Sequence, residues 1–216
     1  MKIGVIAAMD KELVRLQALM PDACKIAPGI WQGTMGGKTV VMCVSGIGKV
    51  NAALAVQRLI AVCHPDCVIS TGVAGGLSPE LQPKDVVAST EVVYHDVWCG
   101  EPNEWGQVQG LPARYRADEG ILAKVSVRKG LFTSGDQFIT EEPREREILQ
   151  RFPEALTVDM ESAAIAQTCH VNAVPFACIR VVSDVCGKDR ESQYANFWSQ
   201  VADNSFEAIR QIITEI

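Results

Sequence analysis

Short, unbroken apolar runs alternate with segments of helical periodicity along this chain. Residues 3–8 are all apolar or glycine, and Leu13, Leu16 and Leu19 follow at the spacing of one helix face before Pro21. An apolar run without polar alternation predicts a strand buried on both faces, and the second pattern predicts an amphipathic helix. The chain therefore opens with a strand and a helix, and the same alternation continues towards its C-terminus.

Further strands are predicted at residues 31–35, 39–44, 67–70, 85–93, 125–132, 157–158 and 176–182. Further helices are predicted at residues 50–62, 142–151, 162–171 and 194–215. Glycine-rich turns are predicted at residues 36–37, 45–48 and 71–76. Residues 94–112 show no periodicity, and so long an irregular segment in a compact domain is usually functional. Strands separated by helices indicate a sheet covered on both faces, so we predict an α/β fold with three layers.

The composition is that of a globular protein with one core. The chain has 216 residues, 48% of them hydrophobic and 21% charged, and this length predicts one domain over residues 1–216. The formal net charge is −6. No basic run could neutralise a row of phosphates, so neither nucleic acid nor a membrane surface is expected as a partner. No apolar stretch approaches the ~18 residues of a membrane span.

The cysteines predict free thiols, most of them buried. They lie mostly within apolar runs such as VVMCV and PFACIRVV, which is typical of buried free thiols. Cys63 and Cys67 form the only close pair, and no second pair or histidine follows at zinc-ligand spacing. The sequence therefore predicts no metal site and a reducing, cytoplasmic location.

Polar residues directly after predicted strands are candidates for chemistry, because α/β sheets bind ligands beyond the carboxyl ends of their strands. Glu12, Glu161 and Asp184 lie at such positions. Each also has a structural interpretation, since Glu12 and Glu161 could stabilise a helix start and Asp184 could cap a turn. Arg180 lies within the strand CIRVVSD, where an unpaired charge is costly, so it requires an anionic partner or an exposed edge position.

Two phosphate-binding patterns are incomplete. Residues 33–39 end like a P-loop, but Gln32 occupies the position of its first glycine. Gly46 and Gly48 follow a strand as in a dinucleotide fingerprint, but Asn51 occupies the third glycine position. Neither a P-loop nor a Rossmann dehydrogenase site is favoured.

Seven segments, in order, resemble those of the purine nucleoside and uridine phosphorylase superfamily, most closely its 5′-methylthioadenosine/S-adenosylhomocysteine nucleosidases. They are MKIGVIAAMDKE, SGIGKVNAAL, STGVAGGL, YHD at residues 94–96, SGDQFI, VDMESAAIA and RVVSDV. The resemblance implies a nucleoside phosphorylase-like fold with a central mixed twisted sheet. It also implies hydrolysis of the N-glycosidic bond of both nucleosides to adenine and a thioribose product, without a cofactor.

The resemblance implies roles for individual residues. Glu12 matches the general base for water, Asp184 the acid that protonates adenine N7, and Arg180 the residue near the attacking water. Glu161 matches the residue that binds the ribose hydroxyls. The other implied pocket residues are Met9, Ile47, Val73, Ala74, Gly75, Phe138, Ile139, Met160, Ser183 and Tyr194. Among these, Phe138 would stack on adenine, and the backbone of Ile139 would pair with the edge of the base.

Two carboxyl groups suit this chemistry. Cleavage passes through an oxocarbenium-like sugar, so a carboxylate must hold water opposite the leaving base while an acid neutralises that base. As the acid, Asp184 must carry a proton near neutral pH. We therefore expect its pKa to be raised by burial and by nearby negative charge.

Two positions depart from the pattern of these nucleosidases. Val73 replaces a Ser or Thr that faces the water or phosphate site, which favours a hydrolase over a phosphorylase. Residues 7–10 also lack the arginine-containing turn of the phosphorylases. Tyr194 replaces a Phe over the 5′ alkylthio group, and its phenol could favour a more polar 5′ substituent. In relatives the loop matching residues 97–111 reaches the neighbouring subunit's site, which implies a homodimer.

Three alternative functions remain open from the sequence. They are a purine nucleoside phosphorylase, a hydrolase of aminofutalosine, and a nucleoside-binding or storage protein without turnover. Phosphate dependence would identify the first, and a series of 5′ substituents the second. The presence of Glu12, Glu161 and Asp184 argues against the third, because binding alone does not require both a base and an acid.

Overall fold

A computed structural model of the chain describes residues 1–185, 189–200 and 204–216. Its strands are β1 (Lys2–Ala7), β2 (Cys24–Ala27), β3 (Ile30–Met35), β4 (Lys38–Val44), β5 (Cys67–Gly76), β6 (Val86–Tyr94), β7 (Tyr115–Arg116), β8 (Arg128–Ser134), β9 (Ala155–Asp159) and β10 (Phe176–Val185). Its helices are α1 (Asp10–Ala18), α2 (Lys49–Cys63), α3 (Glu119–Ala123), α4 (Glu142–Arg151), α5 (Ser162–Val171), α6 (Arg190–Gln200) and α7 (Asn204–Glu215).

The strands form one mixed sheet. At its centre β1 lies between β4 and β5 and is parallel to both. Strand β10 lies between β5, to which it is parallel, and β6, to which it is antiparallel. Because β5, β9, β8, β6 and β10 pair in turn and β10 pairs again with β5, this half of the sheet closes on itself. Strands β4, β3 and β2 extend the other half by antiparallel pairing.

Helices cover both faces of the sheet. The connections from β1 through α1 to β4 and from β4 through α2 to β5 run in opposite directions across it. Such connections are right-handed, so α1 and α2 lie on opposite faces. Helix α2 packs against α5, and α1 packs against α7. The predicted α/β fold with a mixed central sheet is confirmed.

The unbroken apolar runs form strands that are buried on both faces, as expected. Strand β1 is buried from its second residue, and β10 is buried over nearly its whole length. The end of β9 pairs with Gly75 and Gly76, the last residues of β5. The chain segments that follow β1 and β9 therefore meet at the carboxyl end of β5.

Two predicted elements differ from the structure by more than a shift of a few residues at their ends. Residues 71–76, predicted as a turn, continue β5, because they pair with β10 along their length and with β9 at their end. Glycines favour a turn locally, but pairing on two sides overrides that preference. The region predicted as one helix over residues 194–215 contains α6 and α7, and α6 begins earlier, at Arg190. Residues 201–203 of that prediction lie outside the described residues.

The cysteines are unbridged where the structure describes them. Cys43, Cys63, Cys67, Cys169 and Cys178 are buried, whereas Cys24 and Cys99 are exposed. Cys186, which the sequence also predicted to be a free thiol, lies outside the described residues. Among the described helices, none is long and apolar enough to cross a membrane.

Candidate active site

A pocket of about 400 Å³ opens at the carboxyl ends of β1, β5 and β10, a volume in the range of small-molecule sites. Its lining residues are Ala8, Met9, Glu12, Ile47, Thr71, Gly72, Val73, Ala74, Gly75, Phe138, Val158, Asp159, Met160, Glu161, Arg180, Ser183, Asp184 and Tyr194. The set contains every predicted site residue except Ile139. The side chain of Ile139 lies behind the wall, in an apolar cluster with Leu77 and Ile148.

Glu12 lies in the first turn of α1, directly beyond β1, with 1% of its surface exposed. Its Oε2 accepts a hydrogen bond of 2.9 Å from the Met9 amide, and its Oε1 accepts one of 3.2 Å from the Val73 amide. Burial raises the pKa of the Glu12 carboxyl, while these amides and the charge of Arg180 oppose the rise. A buried carboxyl group with this balance suits a general base near neutral pH.

Asp184 lies near the end of β10 on the same pocket, and it is also 1% exposed. The Ser183 hydroxyl donates a hydrogen bond of 2.6 Å to its Oδ1, and Nη1 of Arg190 donates one of 3.1 Å to its Oδ2. Burial raises the pKa of Asp184, as expected, and the bonds from Ser183 and Arg190 oppose the rise. The expected negative neighbour is Glu145, which acts from behind Arg190.

Glu161 lies between β9 and α5 and faces the first turn of α2. Its Oε1 accepts a hydrogen bond of 2.9 Å from the amide of Gly48. Burial and the neighbouring charge of Asp159 raise the pKa of Glu161 to about 7. The predicted turn at residues 45–48 thus brings a backbone amide to this carboxyl group.

Arg180 crosses the interior with 2% of its surface exposed, and its guanidinium is held on several sides. Its Nε donates a hydrogen bond of 2.9 Å to Oδ2 of Asp159, at the end of β9. Its Nη2 donates bonds of 2.9 Å and 2.8 Å to the hydroxyls of Ser70 and Ser162. The anionic partner that the sequence required is therefore Asp159, and the exposed-edge alternative was wrong.

Aromatic rings form the outer part of the pocket. Phe138 is 52% exposed, and its ring meets that of Tyr194 edge-on, with centroids 5.4 Å apart. The Tyr194 hydroxyl lies 3.7 Å from Sδ of Met9. An exposed phenyl ring beside a polar pocket can stack on a flat heterocycle.

Sequence reasoning missed five of the lining residues, Ala8, Thr71, Gly72, Val158 and Asp159, and it also missed Arg190 behind the pocket wall. Asp159 directly follows the predicted strand at residues 157–158, so the strand-end rule that selected Glu161 would also have selected it. Arg190 lies in the polar stretch KDRES, where no pattern distinguishes a buried arginine from an exposed one. Gly72 was included in a predicted turn, but it lies within β5, directly against Glu12. No cluster of three or more potential metal ligands occurs among the described residues.

Comparison with known proteins places this geometry in a family context. The chain matches the model of the phosphorylase superfamily over residues 2–216. A curated relative from Bacillus subtilis, named 5′-methylthioadenosine/S-adenosylhomocysteine nucleosidase, is 38% identical over 100% of both chains. A relative of the same name from Anoxybacillus flavithermus is also 38% identical, over 100% of this chain and 99% of its own.

Solved structures agree in fold. The nucleosidase from Neisseria meningitidis, in complex with methylthio-immucillin-A, superposes with a TM-score of 0.94 at 37% identity, covering 100% of this chain and 99% of that one. The nucleosidase from Colwellia psychrerythraea, in complex with adenine, gives a TM-score of 0.92 at 35% identity, covering 100% and 95%.

Proposed function

The chain belongs to the phosphorylase superfamily, among its 5′-methylthioadenosine/S-adenosylhomocysteine nucleosidases, and from this membership we infer that it hydrolyses both of these nucleosides. The enzyme is an N-glycosidic hydrolase that releases adenine and a 5-thioribose product. The observation that carries the mechanism is the convergence of two buried carboxyl groups, Glu12 and Asp184, on one pocket of suitable size.

Glu12 acts as the general base. The Met9 and Val73 amides fix its carboxyl group at the pocket wall, and its raised pKa gives it affinity for a proton. Water held by Glu12 attacks the anomeric carbon as positive charge develops on the sugar. The carboxylate also stabilises that charge, as in other glycosidic cleavages.

Asp184 acts as the general acid. Adenine is a poor leaving group as an anion, so protonation at N7 lowers the barrier to departure. Burial favours the protonated form of Asp184, and its bonds from Ser183 and Arg190 fix the direction of the carboxyl group. Asp184 thus gives its proton to adenine, while the attacking water gives a proton to Glu12.

The remaining pocket residues bind and orient the nucleoside. Glu161 binds the ribose hydroxyls, Phe138 stacks on adenine, and the Ile139 backbone pairs with the base edge. Arg180 contributes positive charge near the attacking water, held in place by Asp159. The other contacts come from Met9, Ile47, Val73, Ala74, Gly75, Met160, Ser183 and Tyr194.

Adenine release from 5′-methylthioadenosine, measured with and without added phosphate, tests this function. We expect release that does not require phosphate and that falls about 10²- to 10⁴-fold in Glu12→Gln. Release only with phosphate would instead identify a phosphorylase. Tight adenine binding without release would identify a binding protein.

We also propose that the enzyme is a homodimer in the cytoplasm, with residues 1–216 as a single nucleosidase domain. An apolar face of α2 supports the dimer, since Val50 and Leu54 are 70% and 66% exposed. Ile47, 54% exposed, continues this face to the pocket. An exposed apolar patch beside a binding site is typical of a subunit interface. The unbridged thiols support a reducing compartment.

A further inference from the structure

A buried ion-pair chain lies directly behind the pocket. Nη1 of Arg190 lies 3.1 Å from Oδ2 of Asp184, and Nη2 of Arg190 lies 3.0 Å from Oε2 of Glu145. The side chains of Asp184, Arg190 and Glu145 are 1%, 2% and 10% exposed. This ion-pair chain joins the end of β10 and the start of α6, which follow each other in sequence, to α4, which lies well before both.

The guanidinium of Arg190 also contacts the backbone of two segments next to the pocket. Its Nη2 donates a hydrogen bond of 2.8 Å to the Gly76 carbonyl, and Nη1 lies 3.5 Å from the Ile139 carbonyl. A Cβ at Gly75 would lie 2.6 Å from Nη1 of Arg190. The glycine at this position of β5 therefore leaves the space that the ion pair occupies.

The charges of this ion-pair chain affect whether Asp184 is protonated. When Asp184 is protonated, Arg190 and Glu145 leave the buried cluster with no net charge. Without Glu145, protonation of Asp184 would remove the negative charge of both carboxyl groups that pair with Arg190 in this cluster, and such a loss is costly in the interior. Glu145 therefore favours the protonated form of Asp184, and Arg190 opposes it. The other titratable groups that line the pocket are Tyr194, Glu12, Glu161, Asp159 and Arg180.

We propose that Arg190 and Glu145 form a positioning pair for Asp184. Arg190 fixes the Asp184 carboxyl group beside the segment that binds adenine, and Glu145 supplies the negative charge that lets Asp184 hold a proton there. This inference rests on the proposed function, in which Asp184 is the acid. Neither residue touches the substrate, and both act through Asp184.

The pH dependence of kcat/KM for adenine release separates this role from simple structural support. In Glu145→Gln we expect the alkaline limb, which reports loss of the Asp184 proton, to move down by about one pH unit. In Arg190→Gln the same limb moves up. The acid limb, which reports Glu12, stays in place in both variants. Opposite shifts of one limb do not follow from a general loss of stability.

Two further variants complete the design. Arg190→Lys retains the charge but not the planar fork, so the alkaline limb stays near its wild-type position while kcat falls about tenfold at similar KM. Glu147→Gln is the matched control: it removes the same charge from α4, at a side chain that is 39% exposed and pairs with Arg144. This control leaves the profile unchanged.

Coincident alkaline limbs in wild type and a folded Glu145→Gln would overturn the proposal, as would shifts of both variants in the same direction. If Arg190→Gln does not fold, Glu145→Gln and Arg190→Lys decide the matter. A ¹³C NMR titration of the carboxyl carbons, with Asp184→Asn to assign the signal, reports the same shifts without turnover. A wild type that releases no adenine therefore overturns the proposed function alone.

Discussion

A β-carbon placed on Gly72 would lie 2.7 Å from Oε1 of Glu12, closer than real contacts allow. Gly72 also has a φ of +144°, which side chains other than glycine rarely adopt. Strand β5 is thus shaped around the carboxyl group of Glu12. Glycines of β5 therefore leave space for buried side chains of the protein itself, as Gly72 does for Glu12, and not only for a ligand.

Gly72→Ala is expected to displace Glu12 and to reduce kcat for adenine release by about 10²-fold or more, because small shifts of a catalytic group are costly. Steady-state kinetics with 5′-methylthioadenosine measure this effect. Gly37→Ala is the control, since Gly37 has a φ of +73° but no atom within 4 Å of its would-be Cβ. Equal losses in both variants would show that backbone strain, not contact with Glu12, causes the defect.

Asp184→Asn is expected to reduce adenine release by about 10²- to 10³-fold, because an amide cannot protonate N7. A ribosyl substrate with a nitrophenolate leaving group needs no proton, so its hydrolysis should fall far less. Comparison of kcat/KM for the two substrates checks this. A similar loss for both would indicate that Asp184 binds the sugar or supports the fold.

Protein stability without ligand should fall as pH rises. The pKa of Glu161 is raised to about 7 by burial and by the charge of Asp159, so folding favours its protonated form. The contribution of Glu161 to the free energy of unfolding is complete below its pKa in the unfolded chain. It is lost as pH rises through its pKa in the folded protein. The unfolding temperature should therefore be roughly 5 °C higher near pH 5 than near pH 8.

Thermal unfolding of variants checks the source of this dependence. Glu161→Gln should flatten the curve, whereas Glu142→Gln, at a side chain that is 66% exposed, should leave it unchanged. A Glu161→Gln curve parallel to that of wild type would assign the dependence to other groups.

Tyr194→Phe should shift preference toward the methylthio substrate. The phenol at the pocket lies 3.7 Å from Sδ of Met9, and its removal makes the 5′ region more apolar. The ratio of kcat/KM for 5′-methylthioadenosine to that for adenosine should rise about three- to tenfold. An unchanged ratio would place the hydroxyl outside the 5′ region.

If the proposed homodimer forms through α2, Leu54→Glu should convert it to a monomer, because the substitution places a charge on the exposed apolar face of that helix. Analytical ultracentrifugation measures the mass directly. Val14→Glu on α1 is the control, because Val14 is also exposed, at 59%, on a different helix. A Leu54→Glu protein that remains dimeric would move the interface elsewhere.

Elements with strong local patterns could be predicted from the sequence. Helices α4 and α5 have the predicted bounds. Strand β7 has only two residues and α3 only five, too short for any periodicity. Strand β8 begins at Arg128, three residues later than the predicted start at Val125. Val125 is buried but lies outside the strand, so its apolar side chain did not indicate strand structure.

Pocket-lining residues were predictable where they directly follow a predicted strand, as for Glu12 and Glu161. Arg190 was not, because its burial depends on Glu145 and the Gly76 carbonyl, which only the folded chain brings to it. The closed half of the sheet was equally inaccessible, since it depends on β10 pairing with both β5 and β6. Such long-range pairing leaves no local signal in the sequence.

The position of β10 between β5 and β6 also governs when activity can first arise during synthesis. A nascent chain ending before Phe176 already contains Glu12 and Glu161, the proposed base and ribose-binding carboxylate, but it lacks Arg180, Ser183 and Asp184. The strand that carries Asp184 must insert between two strands that were made about 100 residues earlier, and such non-local pairing forms slowly. Chains truncated before Phe176 are therefore expected to release no adenine, because the strand that carries the proposed acid is made only in the last part of the chain.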